Sequence, residues 1–485
     1  MKDLGLRAMR KPQCQSDPGP CQNVAHDPAL HVKKLSRPRG ISSVRARASA
    51  SGTRGASMPL YSRVAQSDAN RMSRMSKHVI VIGAGIVGVS AAIWLRRFGQ
   101  EVTIVDRDGP GQGTSFGNAG LLAACAMVPV TTPGLITKAP KMLFDPDSPL
   151  FLRWSYLPRL APWLLRYLAH ANDRDTRRIA SDLTDITADT VDQHYALTEG
   201  LTARDYLRKS DYVFAYDTRA EFNKDQYSWE LRREHGFVPT LIEGGAVQEF
   251  DPSFGPSITC LAVVKDHGFV TDPGSYVAAL ARDFEQMGGR IVKAAVTDID
   301  ASDRTAPKVT TSAGPIDGDN VILASGAWSK ALMQKLGLNI PLESERGYHI
   351  VMTDPSGGPK APSMISSGKF VATPMQMGLR CAGIVELGGL DAGPSDAPFA
   401  LLRRKIAQAF PNLSFSREET WMGHRPATTD SLPLIGEVRN TGVFTAFGHQ
   451  HVGLTAGPKT GRLVAGLIAD RPPNLDLTPF SPHRF

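Results

Sequence analysis

The stretch HVIVIGAGIVGVSAAIWLRRFGQEVTIVDR, His78 to Arg107, decides the fold. His78–Ile82 is a short apolar run of strand type. Gly83, Gly85 and Gly88 fill G-x-G-x-x-G where that strand must turn into a helix. Ile86, Val89, Ala92, Ile93 and Leu95 supply the helix's inner face, and Gly99 closes it. Val102–Val105 is a second strand, ended by Asp106, 18 residues after Gly88. Gly83 permits the tight turn, Gly85 lets the backbone approach a pyrophosphate, and Gly88 lets helix and strand pack closely. The helix N-terminus, Ile86 and Val87, offers unpaired N–H groups and positive potential to the phosphates. Asp106 accepts hydrogen bonds from ribose hydroxyls, and Arg107 follows it at the same edge. Two strands and an acid at this distance raise the glycine motif above an ordinary α/β turn and predict a dinucleotide site.

Outward from this unit, 485 residues leave room for one large or two medium domains. Hydrophobic residues at 42% and charged residues at 21% are ordinary for a soluble globular chain. A net charge of +8 would suggest nucleic acid or a membrane, but its location argues otherwise. Residues 1–76 hold 14 of the 55 Lys and Arg and 4 of the 47 acidic residues, a net of +10, which leaves −2 for 77–485. The body therefore gives no electrostatic reason to expect a nucleic-acid partner. The segment 1–76 is rich in Ser, Arg, Gly and Pro without an apolar period, and is expected to be a disordered basic extension. It has no apolar h-region, so it is not a secretory signal; its Arg-rich, acid-poor composition fits a transit peptide. MSKHVIVIGAG from Met75 reads instead as a natural start, and the want of an amphipathic helix upstream favours that. Cys14, Cys21, Cys125, Cys260 and Cys381 show no metal spacing and fit a reducing compartment without disulfides. No run reaches the about 18 apolar residues of a spanning helix.

Residues 133–171 combine prolines with large apolar side chains, Trp154, Tyr156, Leu160 and Trp163 among them. A membrane- or partner-facing patch with Arg153, Arg159 and Arg166 interleaved is one reading. A pair of short helices packed on a second domain is the other, favoured because the prolines break the amphipathic period. Residues 174–210 read as helical, and Asp211–Thr218 as a strand. Asp272 and Pro273 start a helix that Gly288 and Gly289 stop. A strand pair around Thr297–Thr311 follows, then a strand from Asn320 that turns at Gly326 into another helix. The segment 341–420 reads as an antiparallel sheet with one helix near Leu401–Phe410.

Near the C-terminus, Gly442–Ala446 is a strand, Gly448–Gly453 a turn, and Leu454–Ala469 a helix. GLTAGPKT, Gly453 to Thr460, nearly spells a P-loop, but Pro458 replaces the required glycine and removes an N–H, while Lys459 falls inside the helix. His449 and His451, even with His424, have no carboxylate or cysteine set to complete a metal site, and none is expected. A helix N-terminus facing an anion remains.

GTSFGNAG (113–120), ERGYH (345–349), RPATTDSLPLIG (425–436) and GHQHVGLT (448–455) stand in this order behind the glycine fingerprint. Over 77–470 the chain resembles the D-amino-acid oxidase-like superfamily of FAD-dependent enzymes, and within it is similar to bacterial D-amino-acid dehydrogenases, including a subgroup acting on cyclic imino acids such as hydroxy-D-proline. The resemblance implies an α/β two-domain fold: a discontinuous Rossmann-like FAD-binding domain at 77–130, 266–335 and 421–475, and a mixed-sheet α+β substrate-binding domain at 131–265 and 336–420. It implies that Thr114, Ser115, Asn118, Ala119 and Gly120 run along FAD towards the flavin. It implies likewise that Gly326, Gly448, His451, Gly453, Leu454 and Thr455 approach the cofactor, the helix N-terminus facing the flavin locus that becomes anionic on reduction. The implied reaction is oxidation of a CH–NH bond by hydride transfer to flavin N5, in amino-acid catabolism, with electrons passed to a quinone or other carrier. An oxidase using O2 on glycine, sarcosine or proline-type amines, and an inactive flavin-binding subunit, are the alternatives. Such chemistry needs a fixed carboxylate clamp, for which an arginine fork suits. Arg425 matches the family's carboxylate arginine, Arg380 lies on a strand that can face the cavity, and Tyr348 and His349 are candidates for orienting the amine. Arg425 with Asp430, and Arg346 with Glu343 or Glu345, are the competing structural pairings. Gln450 and Leu454 replace the GHG-type turn and following Trp of D-alanine-type dehydrogenases, which favours the imino-acid subgroup. Sarcosine-oxidase-like relatives attach FAD to a cysteine before the TPD-like motif; none precedes GHRPATTD here, so FAD is expected to be non-covalent. The expected location is cytoplasmic, with peripheral contact at the inner face of the plasma membrane where a quinone is the acceptor.

Overall fold

The structure, a computed structural model, describes residues 76–485 apart from Pro146. Apart from Ser76, the basic extension expected at 1–76 lies outside the described residues.

β1 (His78–Ile82), β2 (Glu101–Asp106), β8 (Arg290–Lys293), β12 (Asn320–Leu323) and β19 (Val443–Phe447) run parallel in a six-stranded sheet of order β18-β19-β12-β1-β2-β8, with β18 (Leu434–Glu437) as an antiparallel edge. Its strands are apolar on both faces because both are covered. Val79 and Val81 meet the helices Ile86–Arg97, Pro273–Gln286 and Gly453–Ile468. Ile80 and Ile82 meet the helix Ser329–Lys335 and an antiparallel layer of β9 (Val296–Asp300), β10 (Lys308–Thr311) and β11 (Gly314–Asp317), the expected strand pair with a third strand added. A methyl on Gly88 would lie 1.9 Å from the Gly83 carbonyl oxygen, and one on Gly83, at φ +110°, 2.6 Å from that of Ala324. The turn and the helix crossing each require glycine.

The second sheet has ten strands: β3 (Leu121–Leu122), β4 (Leu150–Leu152), β5 (Leu207–Tyr216), β6 (Thr240–Glu243), β7 (Cys260–Val270), β13 (Leu342–Thr353), β14 (Ser363–Ile365), β15 (Phe370–Met375), β16 (Gly378–Leu387) and β17 (Arg417–Thr428). Its main path is β17-β13-β16-β15-β14-β5-β7-β3. The helix Asp396–Ala409 covers one face, packing Phe399, Leu402 and Ile406 with Tyr348, Ile350 and Leu379. β7 pairs with β5, and β17 with β13, along their whole lengths, so Asp266–Val270 and Trp421–Thr428 belong to the ten-stranded sheet. Local pattern shows a strand but not its partner, which contacts distant in sequence choose.

The Pro-rich stretch packs as a helix, Leu157–Ala169, against this sheet through Leu160, Trp163 and Tyr167, with the Trp163 indole N–H donating to the Ala427 carbonyl at 3.2 Å. Arg153 is fixed by the Gly393 carbonyl at 2.6 Å and the Ser395 hydroxyl at 3.0 Å, while Leu165 stays 72% exposed. No helix among the described residues is long and apolar enough to cross a membrane.

Candidate functional site

The carboxyl ends of β1 and β2, where α/β sheets receive ligands, open on a cavity of about 750 Å³ walled on its other side by the ten-stranded sheet. Gly83, Gly85, Ile86 and Val87 line it. A methyl on Gly85 would meet only the Ser115 hydroxyl, at 3.2 Å, so nothing else among the described residues demands glycine there. The Ile86 N–H donates to that hydroxyl at 3.0 Å. Gly88 does not reach the cavity; its task is the packing described above. The Asp106 carboxylate, on the wall, accepts from the N–H groups of Ala84 at 2.8 Å, Asp108 at 2.9 Å and Gly109 at 2.7 Å. Arg107 places its guanidinium 5.1 Å from the Trp328 ring, close to the turn that Gly326 makes at φ +57°.

Residues 113–120 are fastened to both sheets. Thr114 donates to the His424 carbonyl at 2.7 Å, and Asn118 links Ser115 and Gly120, each at 2.7 Å. The Ala119 carbonyl accepts from Thr373 at 2.8 Å. Thr114, Ser115, Asn118, Ala119 and Gly120 all line the cavity. Gly453, Leu454 and Thr455 bring a second helix N-terminus to it. Gly448 stands behind that wall, at φ +90°, making the turn after β19. His451 exposes its surface to the cavity, and its depth in the molecule, then the Arg425 charge, lowers its pKa to about 4. His449 is bound at Nε2 to the Thr460 hydroxyl, 2.9 Å, and Lys459 pairs with Asp189 at 2.9 Å. Neither contact resembles a metal ligand set or a phosphate-facing lysine. Two free helix N-termini, an open glycine and a fixed carboxylate along one cavity suit the pyrophosphate and ribose of FAD.

Arg425 lines the same cavity from β17 and is half-buried. Its guanidinium lies over Gly347, donating weakly to the carbonyls of Ile384 at 3.3 Å and Gly383 at 3.4 Å. Burial lowers its pKa and Glu345 opposes that; burial raises Glu345 and Arg425 opposes that. Desolvation outweighs the attraction for both, and no ion pair joins them, so the guanidinium keeps its donors. The competing partner Asp430 is taken by Arg484 at 2.6 Å, and Arg346 pairs with Glu386 at 2.6 Å, with neither Glu343 nor Glu345. Tyr348 is among the residues that line the cavity, while His349 and Arg380 are not. The Tyr348 hydroxyl donates to Glu386 and accepts from the Ser395 N–H at 3.1 Å, and its ring packs on Phe399, the helix side of the sheet. The His349 ring stacks on Trp421 at 5.2 Å; burial depresses its pKa to about 3, so a neutral Nδ1–H donates to the Gly117 carbonyl at 2.8 Å. Arg380 donates to the carbonyls of Phe116, 2.9 Å, and Asn118, 3.0 Å, and burial lowers its pKa to about 10. His349 and Arg380 thus hold the 113–120 loop and do not line the cavity.

The sequence profile of the DAO family, FAD dependent oxidoreductases, matches residues 78–467. The chain belongs to this family. A profile of pyridine nucleotide-disulphide oxidoreductases also matches residues 40–111, a range that includes the glycine turn. The chain is 38% identical over 417 residues to a D-amino-acid oxidase of Bradyrhizobium diazoefficiens, covering 84% of this chain and 99% of that one. It is 27% identical over 423 residues to a D-amino acid dehydrogenase of Vibrio atlanticus, covering 84% and 99%. Among solved structures, a glycine oxidase from Geobacillus kaustophilus superposes with a TM-score of 0.63 at 22% identity, covering 85% and 99%.

This DAO-family oxidoreductase has FAD as its cofactor. Its cavity also has walls that motif reading passed over. Ala294–Thr297, just beyond β8, line the Asp106 end. The rule that ligands sit at carboxyl ends of parallel strands would have found them once β8 was known to lie beside β2. Glu345, Gln450, Trp421 and Arg232 line the rest. Gln450 donates to Glu345 at 3.2 Å, and Trp421 fills space that Gly117 and Gly423 leave, a methyl on either lying 2.0 Å from its ring. Arg232 lies in a segment without motif, so no sequence signal pointed to it.

Proposed function

We propose that this flavoenzyme oxidises the CH–NH bond of a D-amino acid or cyclic imino acid. The observation that carries the reading is Arg425: a half-buried guanidinium on the cavity wall, weakly satisfied within the protein. A substrate carboxylate there gains charge-assisted hydrogen bonds in a water-poor site and has one orientation. Bound FAD supplies the two-electron acceptor. Asp106 accepts from the ribose, and the helix N-termini at Ile86 and Gly453 face its anionic parts. His349 and Arg380 hold the 113–120 loop in place, and Trp421 and Leu454 exclude water from the reacting C–H. His451, with its pKa held near 4, is neutral at pH 7 and leaves Arg425 as the cation for the carboxylate.

Electron transfer onward to a quinone or other carrier is supported by the relatives named D-amino acid dehydrogenase. The 38% identical relative named D-amino-acid oxidase supports a second reading, with O2 as acceptor. Anaerobic bleaching of the flavin by a panel of D-amino acids, proline derivatives and N-methylglycine tests the first step. Bleaching by at least one, lost in Arg425→Ala with FAD still bound, is expected; unchanged kinetics remove Arg425 from the site. Stoichiometric peroxide in air decides for the oxidase.

A further inference from the structure

Arg232 stands on the helix Gln226–Glu234 and lines the same cavity as Arg425. Its guanidinium lies 4.9 Å from the Phe214 ring and 4.8 Å from the Trp229 ring, which fix its plane. Nε and Nη1 are shut off from water and reach no hydrogen-bond acceptor. Among the described residues Arg232 is in no ion pair. Asp225, about two turns before it on the chain, accepts from the Tyr216 hydroxyl at 2.8 Å. The polar groups close by are the Cys125 thiol and the Tyr212 phenol, and burial keeps both protonated, raising Cys125 to about 11 and Tyr212 further. Arg425 has Glu345 in its field, whereas no carboxylate among the described residues pairs with Arg232. A half-buried cation with two nitrogens shut off from water gains from a counter-charge, and the cavity that Arg232 lines is where one can reach it.

We propose that the substrate is a dicarboxylic amino acid, whose α-carboxylate is held by Arg425 and whose side-chain carboxylate is held by Arg232. This rests on the reading of Arg425 given above. An arginine, planar and stacked, matches a carboxylate fork with little loss of side-chain freedom. A neutral side chain at the same place would leave the guanidinium unpaired, so discrimination comes as much from rejection of neutral substrates as from attraction of acidic ones.

The test uses the purified holoenzyme and anaerobic stopped-flow reduction of the flavin by D-aspartate and D-glutamate against D-alanine and D-norvaline. The expected efficiency ratio, acidic over neutral, is at least about 30-fold, the low end for truncating one partner of a buried charge pair. Arg232→Met is expected to lower that ratio by a similar factor and Arg232→Lys to restore part of it. A preference of the wild type for neutral substrates, or an unchanged ratio in Arg232→Met, overturns the proposal. Should that variant fail to fold, the wild type still decides through unreactive ligands: succinate must perturb the flavin spectrum at a concentration at least about ten-fold lower than butyrate, and equal affinity overturns it. Bleaching by neutral amino acids that depends on Arg425, with no preference for acidic ones, defeats this proposal alone. No bleaching by any amino acid defeats the underlying reading and this one with it.

Discussion

Gly347→Ala isolates the placement of Arg425 from its presence. A methyl at Gly347 would lie 2.5 Å from Arg425 Cζ, 2.5 Å from Nη2 and 2.8 Å from Nε. Nonbonded carbon contacts settle near about 3.5–4.0 Å, so the guanidinium must retreat by roughly 1 Å. The obstacle is the end of a side chain, and β13 keeps its pairing with β16 and β17, so the displacement falls on Arg425 and not on the sheet. A misplacement of about 1 Å at a substrate-positioning group costs on the order of 100-fold in rate, about 2.7 kcal/mol of barrier. The assay is anaerobic flavin reduction by the best substrate, with FAD content and melting temperature as controls. Expected are a roughly 100-fold fall in efficiency and FAD content and melting close to wild type. A reduction rate within about threefold of wild type in a folded, FAD-loaded variant refutes the assignment of Arg425 as the carboxylate clamp.

The remaining predictions concern the cofactor end and the buried histidines. Gly85→Ala, whose methyl meets only the Ser115 hydroxyl at 3.2 Å, should fold yet purify with a reduced flavin-to-protein ratio, whereas Gly88→Ala, with its methyl 1.9 Å from a backbone oxygen, should be insoluble or melt early; equal behaviour of the two contradicts the division of labour. Lys459→Met removes the partner of Asp189 and should cost about 1–3 kcal/mol of unfolding free energy, read from urea titrations, while leaving FAD content and turnover intact; loss of FAD would return Lys459 to the phosphate site. His449 has a folded pKa of about 3 set by burial, against roughly 6.5 unfolded, so its contribution is complete above pH 6.5 and is lost as pH falls toward 3. His449→Gln has no such proton to gain, so between pH 6 and 4 its stability should fall less steeply than wild type by up to about 1.4 kcal/mol per pH unit, and identical slopes in urea titrations would count against the buried neutral ring.

Much of the cofactor half was legible because its signals are local. The strand, the glycine turn and the inner helix face of His78–Arg107 are set by neighbours within one turn or two residues, and they appear where expected. The same holds for Gly442–Ala469, where Pro458 and the position of Lys459 inside the helix already spoke against a P-loop. The ten-stranded sheet was legible as strands but not as pairings: that β7 runs beside β5 and β17 beside β13 is set by segments far apart in the chain. Tyr348 and His349 show the reason most plainly. ERGYH marks a strand, and adjacent residues on a strand face opposite ways. Which of them faces the loop and which the helix Asp396–Ala409 depends on what covers each face, and that is tertiary. Sequence alone determined the strand, the glycine turn and the helix N-terminus with Asp106 at its edge, because those residues act through the backbone beside them. Only the folded chain decided that Arg425 is held over Gly347 by two long hydrogen bonds, that Arg380 is spent on the 113–120 loop, and that Arg232 enters the same cavity without an ion pair among the described residues. A side chain's partners come from distant segments, and no spacing along the chain records them.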